Sequence, residues 1–206
     1  MTGTLVALGL SVTAFVGSHF LLSSRRVRHT LVAWVGEMAF LGIYSSIALA
    51  TFVWMVEAYA DAPYRELWLP PTALRHLALS VMPLACILVV SGLTTPSPAA
   101  VSLDPQALAM REPVGIQKVT RHPVMWGFAL WGMVHLLANG DAASLILFGG
   151  MTVLALAGSL HIDARKHLLL GHHWRRFAEA TSFVPLAAVI QGRARLRVSE
   201  IGWWRI

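Results

Sequence analysis

The chain has 206 residues, of which 56% are hydrophobic and only 13% charged, against about 25% charged in an ordinary soluble domain; this argues against a water-soluble enzyme and for a polytopic membrane protein. The formal charge of +6 calls for no nucleic-acid partner, because basic loops facing anionic lipid account for it. A single cysteine, Cys86, leaves no intrachain disulfide, no cysteine-ligated zinc and no C-x-x-C-H motif for covalent haem attachment.

Five stretches are nearly free of Asp, Glu, Lys and Arg over roughly the length needed to cross ~30 Å of hydrocarbon at 1.5 Å per residue. The first, residues 2–22, opens on the uncharged Met1-Thr2-Gly3-Thr4. It lacks the basic start of a signal peptide and reads as a span. The second is residues 31–56, with Glu37 in its first turns, and the third is 77–93. The fourth, 124–138, is the shortest, although Arg121 and His122 can snorkel and lengthen it. The fifth is 142–162. Past it, residues 163–180 mix Arg, Lys and His with Leu168, Leu169, Leu170, Trp174 and Phe177, the pattern of a helix lying at the interface. Residues 183–190 are apolar but too few to span, and are expected to dip into the headgroup region. No repeat is visible. The expected fold is all-α: one domain over 1–206, a transmembrane bundle of about five spans plus an interfacial C-terminal helical segment in contact with the lipid bilayer.

Charge placement orients this bundle. Arg25, Arg26 and Arg28 lie between the first two spans, Arg111, Lys118 and Arg121 between the third and fourth, and Arg165, Lys166, Arg175, Arg176, Arg193, Arg195, Arg197 and Arg205 after the fifth. The opposite loops hold Glu57, Asp61, Arg65 and Glu66, and Asn139-Gly140-Asp141. Basic residues collect on the cytoplasmic side, which predicts an outside N-terminus and a cytoplasmic C-terminus.

The histidines carry the chemistry. His29, His76, His167, His172 and His173 flank loops or sit in the interfacial segment, where a solvated imidazole is the ordinary state. His122, between Arg121 and Pro123, either marks a helix start or binds an anionic group; His161 is expected to pair with Asp163 at a helix end. His19 and His135 lie within uncharged runs. There they either hydrogen-bond a neighbouring helix or ligate a cofactor, since polar groups in hydrocarbon are functional candidates by default. Gly9, Gly17, Gly127 and Gly132 would let a flat macrocycle or another backbone come close.

Gly17-Ser18-His19-Phe20-Leu21-Leu22-Ser23-Ser24, Val35-Gly36-Glu37-Met38-Ala39-Phe40-Leu41-Gly42-Ile43-Tyr44-Ser45 and Ala58-Tyr59 with Leu67-Trp68 resemble the NnrU family of membrane proteins. The resemblance continues in order through Gly115-Ile116-Gln117-Lys118-Val119-Thr120-Arg121-His122-Pro123, Trp131 to His135, Asp163-Ala164-Arg165 and Thr181-Ser182-Phe183-Val184-Pro185. It covers almost the whole chain. It implies a relation to the plant zeta-carotene isomerases and, with it, haem b held by two histidines, here His19 and His135, with Trp131 and Gly132 beside the cofactor. Gly132 stands where the isomerases have a cysteine, so their redox-linked ligand change is not implied. The bacterial members imply an inner-membrane protein handling nitrogen oxides, with a redox partner and a small or lipophilic substrate; a haem or nitric oxide sensor or an assembly factor is a further alternative. Arg121, His122 and Asp163 are the expected catalytic set.

A more distant resemblance, through Arg121-His122-Pro123 and Trp174-Arg175-Arg176-Phe177 with Val184-Pro185-Leu186, is to isoprenylcysteine and phospholipid methyltransferases. It implies S-adenosylmethionine, but the paired acids of those enzymes are reduced here to Asp163. Spacing also weighs on the haem reading. His19 is near the cytoplasmic end of its span, whereas His135 lies about 20 Å beyond His122 along an ideal helix. Unless the spans tilt, His122 or His161 is the more natural partner of His19.

Overall fold

The computed structural model describes residues 3–102 and 104–205. The regular elements among them are helical: α1 (Leu5–Ser23), α2 (Arg25–Val35), α3 (Glu37–Asp61), α4 (Thr72–Thr94), α5 (Pro105–Met110), α6 (Ile116–Val119), α7 (Pro123–Asn139), α8 (Ala142–Leu170), α9 (His172–Ala180) and α10 (Ala187–Ile190). α1, α3, α4 and α8 are each long and apolar enough to cross a membrane. α7, where the fourth span was expected, has 17 residues and reaches about 25 Å, short of the ~30 Å of hydrocarbon. The protein is a helical membrane bundle.

Local chemistry sets most boundaries. Thr4 caps α1 by accepting from the Ala7 amide at 3.0 Å, while Thr2, where the first span was expected to begin, lies outside the described residues. Asp104 caps α5, with Pro105 at its first turn. Two expectations need correction. The second span does not start at residue 31: Gly36, at φ +82°, breaks the run into an amphipathic α2 with no buried residue and the apolar α3, and Arg28 pairs with Glu37 across the break. Nor does an interfacial helix start at 163. α8 runs on to Leu170, and Gly171 at φ +53° turns the chain into α9, because only after the glycine can the chain leave the helix axis at little cost.

The chain divides into two compact units, one up to His76 together with Gly132–Leu154, the other Leu77–Trp131 together with the residues from Ala155 on. In the first, α1 and α3 pack antiparallel: Gly3 lies against Asp61 and Phe15 against Phe52, ring centroids 5.9 Å apart. Tyr59 Oη and Ser144 Oγ are 3.0 Å apart, and Gly140 O accepts from the amides of Leu67 and Trp68. The starts of α1 and α8 and the ends of α3 and α7 therefore share one end of this unit.

In the second unit, Leu88, Ile116 and Ile201 form a core with Val119, Trp126, Leu130 and Leu196, and Trp174 and Phe177 form another with Ala99. Ile201 reaches this core because Glu200 is anchored by Lys118 Nζ at 2.6 Å and the Gly115 amide at 3.2 Å. Both donors hold the Glu200 carboxyl below the usual glutamate range. A depressed folded-state pKa gives a contribution that is present above the ordinary glutamate range and lost as pH falls through the lowered value. The protection factor of the Ile201 amide, its exchange rate relative to an unstructured amide at the same pH, should therefore fall on acidification below that range, and in Glu200→Gln should already be low at pH 7; a protection factor independent of pH in the wild type would refute the anchoring.

Candidate functional site

Pro123 opens α7 with its φ already suited to a helix, and places Arg121 and His122 just ahead of it. Asp163, some 40 positions later on α8, comes between them. Arg121 donates to both carboxylate oxygens, through Nε to Oδ1 at 3.1 Å and through Nη2 to Oδ2 at 2.5 Å, the bidentate geometry a guanidinium is shaped for. His122 Nε2 lies 2.6 Å from Asp163 Oδ1. The His122 side chain is 2% exposed, those of Arg121 and Asp163 15% and 17%. So Asp163 turns to Arg121 and His122 instead of His161, the pairing the sequence suggested. With Nε2 committed to the carboxylate, the imidazole orientation is set.

Residues 181–186 lie over this cluster. The Arg121 amide donates to Ser182 O at 2.9 Å and the Leu186 amide to Val119 O at 2.7 Å. Thr120 Oγ1 donates to Phe183 O at 2.8 Å, as does Trp126 Nε1. The Phe183 ring then meets His122 edge-on at 5.9 Å and sits 6.0 Å from the Arg121 guanidinium carbon. Such latching satisfies backbone groups that lipid could not. Phe183 was not among the expected site residues, although it belongs to the Thr181-Ser182-Phe183-Val184-Pro185 motif.

Of the expected cofactor residues, His19, His135 and Gly132 lie in the first unit, whereas Trp131, which packs edge-on against Phe128, lies in the second with Gly127 and His161. His19 Nδ1 is 2.7 Å from Phe15 O, and its ring contacts Phe15 and Tyr44 at 4.5 and 5.6 Å. His135 stacks on Phe148, centroids 4.7 Å apart. Measured from the end they share, His19 is about 21 Å along α1 from Leu5 and His135 about 6 Å along α7 from Asn139, at 1.5 Å per residue. Axial nitrogens on one iron lie about 4 Å apart, taking metal–imidazole bonds of about 2 Å. The pair as placed does not fit a single bis-histidine haem. Gly132 is not cofactor space either, because a Cβ there would meet Thr152 Oγ1 and Phe148 O of α8, and one on Gly127 would meet Ala85 O of α4. These glycines serve helix–helix approach. Gly9 and Gly17 face open space.

An all-helical membrane bundle carrying a partly buried Arg-His-Asp cluster between the start of α7 and the body of α8 defines a class of integral membrane protein. Within that class the chain belongs to the NnrU family, whose profile, described as "NnrU protein", matches residues 7–204. It is 27% identical over 164 residues to the chloroplastic 15-cis-zeta-carotene isomerase of Arabidopsis thaliana, covering 77% of this chain and 44% of that one. With the protein of the same name from Zea mays it shares 33% identity over 95 residues, 46% of this chain and 26% of the other. The chain thus spans less than half the length of these curated relatives. No solved structure matches it.

Proposed function

We propose that this protein is an isomerase-like membrane protein acting on an apolar, unsaturated substrate within the bilayer, with Arg121, His122 and Asp163 as the polar part of its site. The observation that carries this is the buried histidine fixed by Asp163, in a chain similar to isomerases of a carotene. Rotation about a double bond consumes no water and no second substrate, which suits a site walled by apolar helices. In cells that accumulate 15-cis-zeta-carotene in the dark, the protein is expected to remove the 15-cis isomer. Asp163→Asn should lower conversion about tenfold or more at equal membrane-inserted amount, in keeping with the loss of a positioned acid–base group. Absence of conversion by inserted, folded wild type would sink the reading.

One observation favours a second reading, haem b bound through His19. Its Nδ1 is engaged by a backbone carbonyl, which leaves Nε2 as a lone pair in the manner of metal-ligating imidazoles. Nitrogen-oxide chemistry belongs with this reading. A haem held by His19 without His135 is high-spin, whereas the bis-histidine form is low-spin. Protein purified with ample haem supply is therefore expected to show a high-spin ferric spectrum, lost in His19→Ala and kept in His135→Ala. Colourless protein would remove haem, and a low-spin spectrum would show that the two histidines come together.

For location we propose the bacterial inner membrane, residues 57–66 outside and 111–121 in the cytoplasm, on the strength of the basic loops. Labelling of exposed Tyr64→Cys in a Cys86→Ser background by an impermeant reagent on intact cells tests it; labelling only after permeabilisation inverts the topology.

A further inference from the structure

Beside the ion-paired cluster, an open cleft of about 380 Å³ is lined by Arg121, His167, Trp174, Arg175, Glu179 and Arg193. Its cations are largely held in place. Arg121 is fixed by Asp163. Arg193 Nη1 donates to Thr181 O at 2.7 Å and to Glu179 O, and its Nε to Gln191 Oε1 at 2.9 Å. The side chain of Arg175, exposed on α9, makes no hydrogen bond among the described residues; only its amide does, to Gly171 O. Trp174, 3% exposed, forms a rigid wall.

Three guanidiniums face Glu179, and Asp163 holds Arg121 from behind, so with His167 counted as uncharged the cleft carries an excess of one positive charge, centred on Arg175 and Arg193. A phosphate monoester carries about −1.5 to −2 near pH 7 and three acceptor oxygens, and guanidinium groups match it in charge and in geometry. The sulfonium of S-adenosylmethionine, by contrast, would be repelled. Leu168 and Leu169, in the same last turn of α8 as His167, are 66% and 68% exposed, so the helix end that supplies His167 to the lining also carries apolar surface on its other faces. The geometry points to this cleft as a binding site for a phosphate group, the headgroup of an apolar molecule. Neither the family match nor the isomerase reading assigns it.

The test is a native mass spectrometry titration of the full chain in detergent with phosphatidic acid, phosphatidylcholine of the same acyl chains, glycerol 3-phosphate, inorganic phosphate and S-adenosylmethionine. Phosphatidic acid is expected to bind. Arg175→Gln should weaken it about tenfold, the worth of one charge-assisted hydrogen bond. Arg176→Gln should leave it unchanged, because Arg176 pairs with Glu112 and does not line the cleft. Selective retention of phosphatidic acid assigns the phosphate to a lipid; equal affinity for glycerol 3-phosphate or inorganic phosphate assigns it to a soluble source. Equal binding by Arg175→Gln and wild type, or tighter binding of phosphatidylcholine or S-adenosylmethionine, overturns the proposal.

Discussion

Replacing Asp163 with alanine is expected to lower the thermal midpoint of the detergent-solubilised protein by roughly 8 °C, taking about 3 kcal/mol, the low end for a broken buried ion pair because this one is only partly buried, and about 2–4 °C per kcal/mol for a chain of this size. The size of the effect follows from what stays behind. Arg121 would keep its charge at a side-chain exposure of 15%, and His122 would lose the acceptor 2.6 Å from its Nε2. Asp163→Asn retains an acceptor and should cost less. A double substitution, Arg121→Met with Asp163→Leu, should recover much of the loss, because it removes both charges instead of orphaning one. A shift below about 2 °C for Asp163→Ala, equivalent to under about 1 kcal/mol, would mean that water or lipid headgroups already screen the cluster and that it does not organise the 181–186 segment.

Gly132→Leu is expected to be comparably damaging, costing about 3 kcal/mol, the upper part of the range for overpacking. A Cβ at this position would meet Phe148 O as well as Thr152 Oγ1, and a backbone oxygen inside α8 has nowhere to go. Even Gly132→Ala should reduce the folded fraction seen by size-exclusion chromatography and should shift Phe148 from its stack on His135. Gly17→Ala is the control. Nothing lies within 4 Å of its would-be Cβ, and alanine is the better helix former by about 1 kcal/mol. If Gly17→Ala destabilised while Gly132→Ala did not, the open space beside His19 would be the occupied one and the assignment of these glycines to helix packing would be wrong.

The spans were legible in the sequence because crossing hydrocarbon is a local requirement: every residue of α1, α3, α4 and α8 contributes its own transfer free energy, and length and charge content reveal the outcome. The start of α7 was equally local, since Pro123 suits a first helical turn whatever surrounds it. The pattern at residues 25–35 was harder. Its apolar half merges with the following span in any hydropathy reading, and what separates α2 from α3 is the backbone turn at Gly36, φ +82°, a conformation that glycine permits but does not impose.

The partner of Asp163 was decided by tertiary structure. His161 is two positions away and was the natural guess, yet adjacent positions on a helix point to different faces, and the packing of α8 brings Asp163 to Arg121 and His122. The same holds for His19 and His135. Each was visible as a histidine in an apolar run, but whether the two meet depends on the depth at which α1 and α7 hold them, and depth comes from where the ends of α1, α3, α7 and α8 are tied. The sequence by itself determined a membrane bundle and most of its long apolar helices, because those follow from solvent transfer and local backbone preference. Which side chains form a site was left to the packing of helices distant in the chain, because a hydrogen bond of 2.6 Å is set by the relative position of whole elements and no local pattern encodes it.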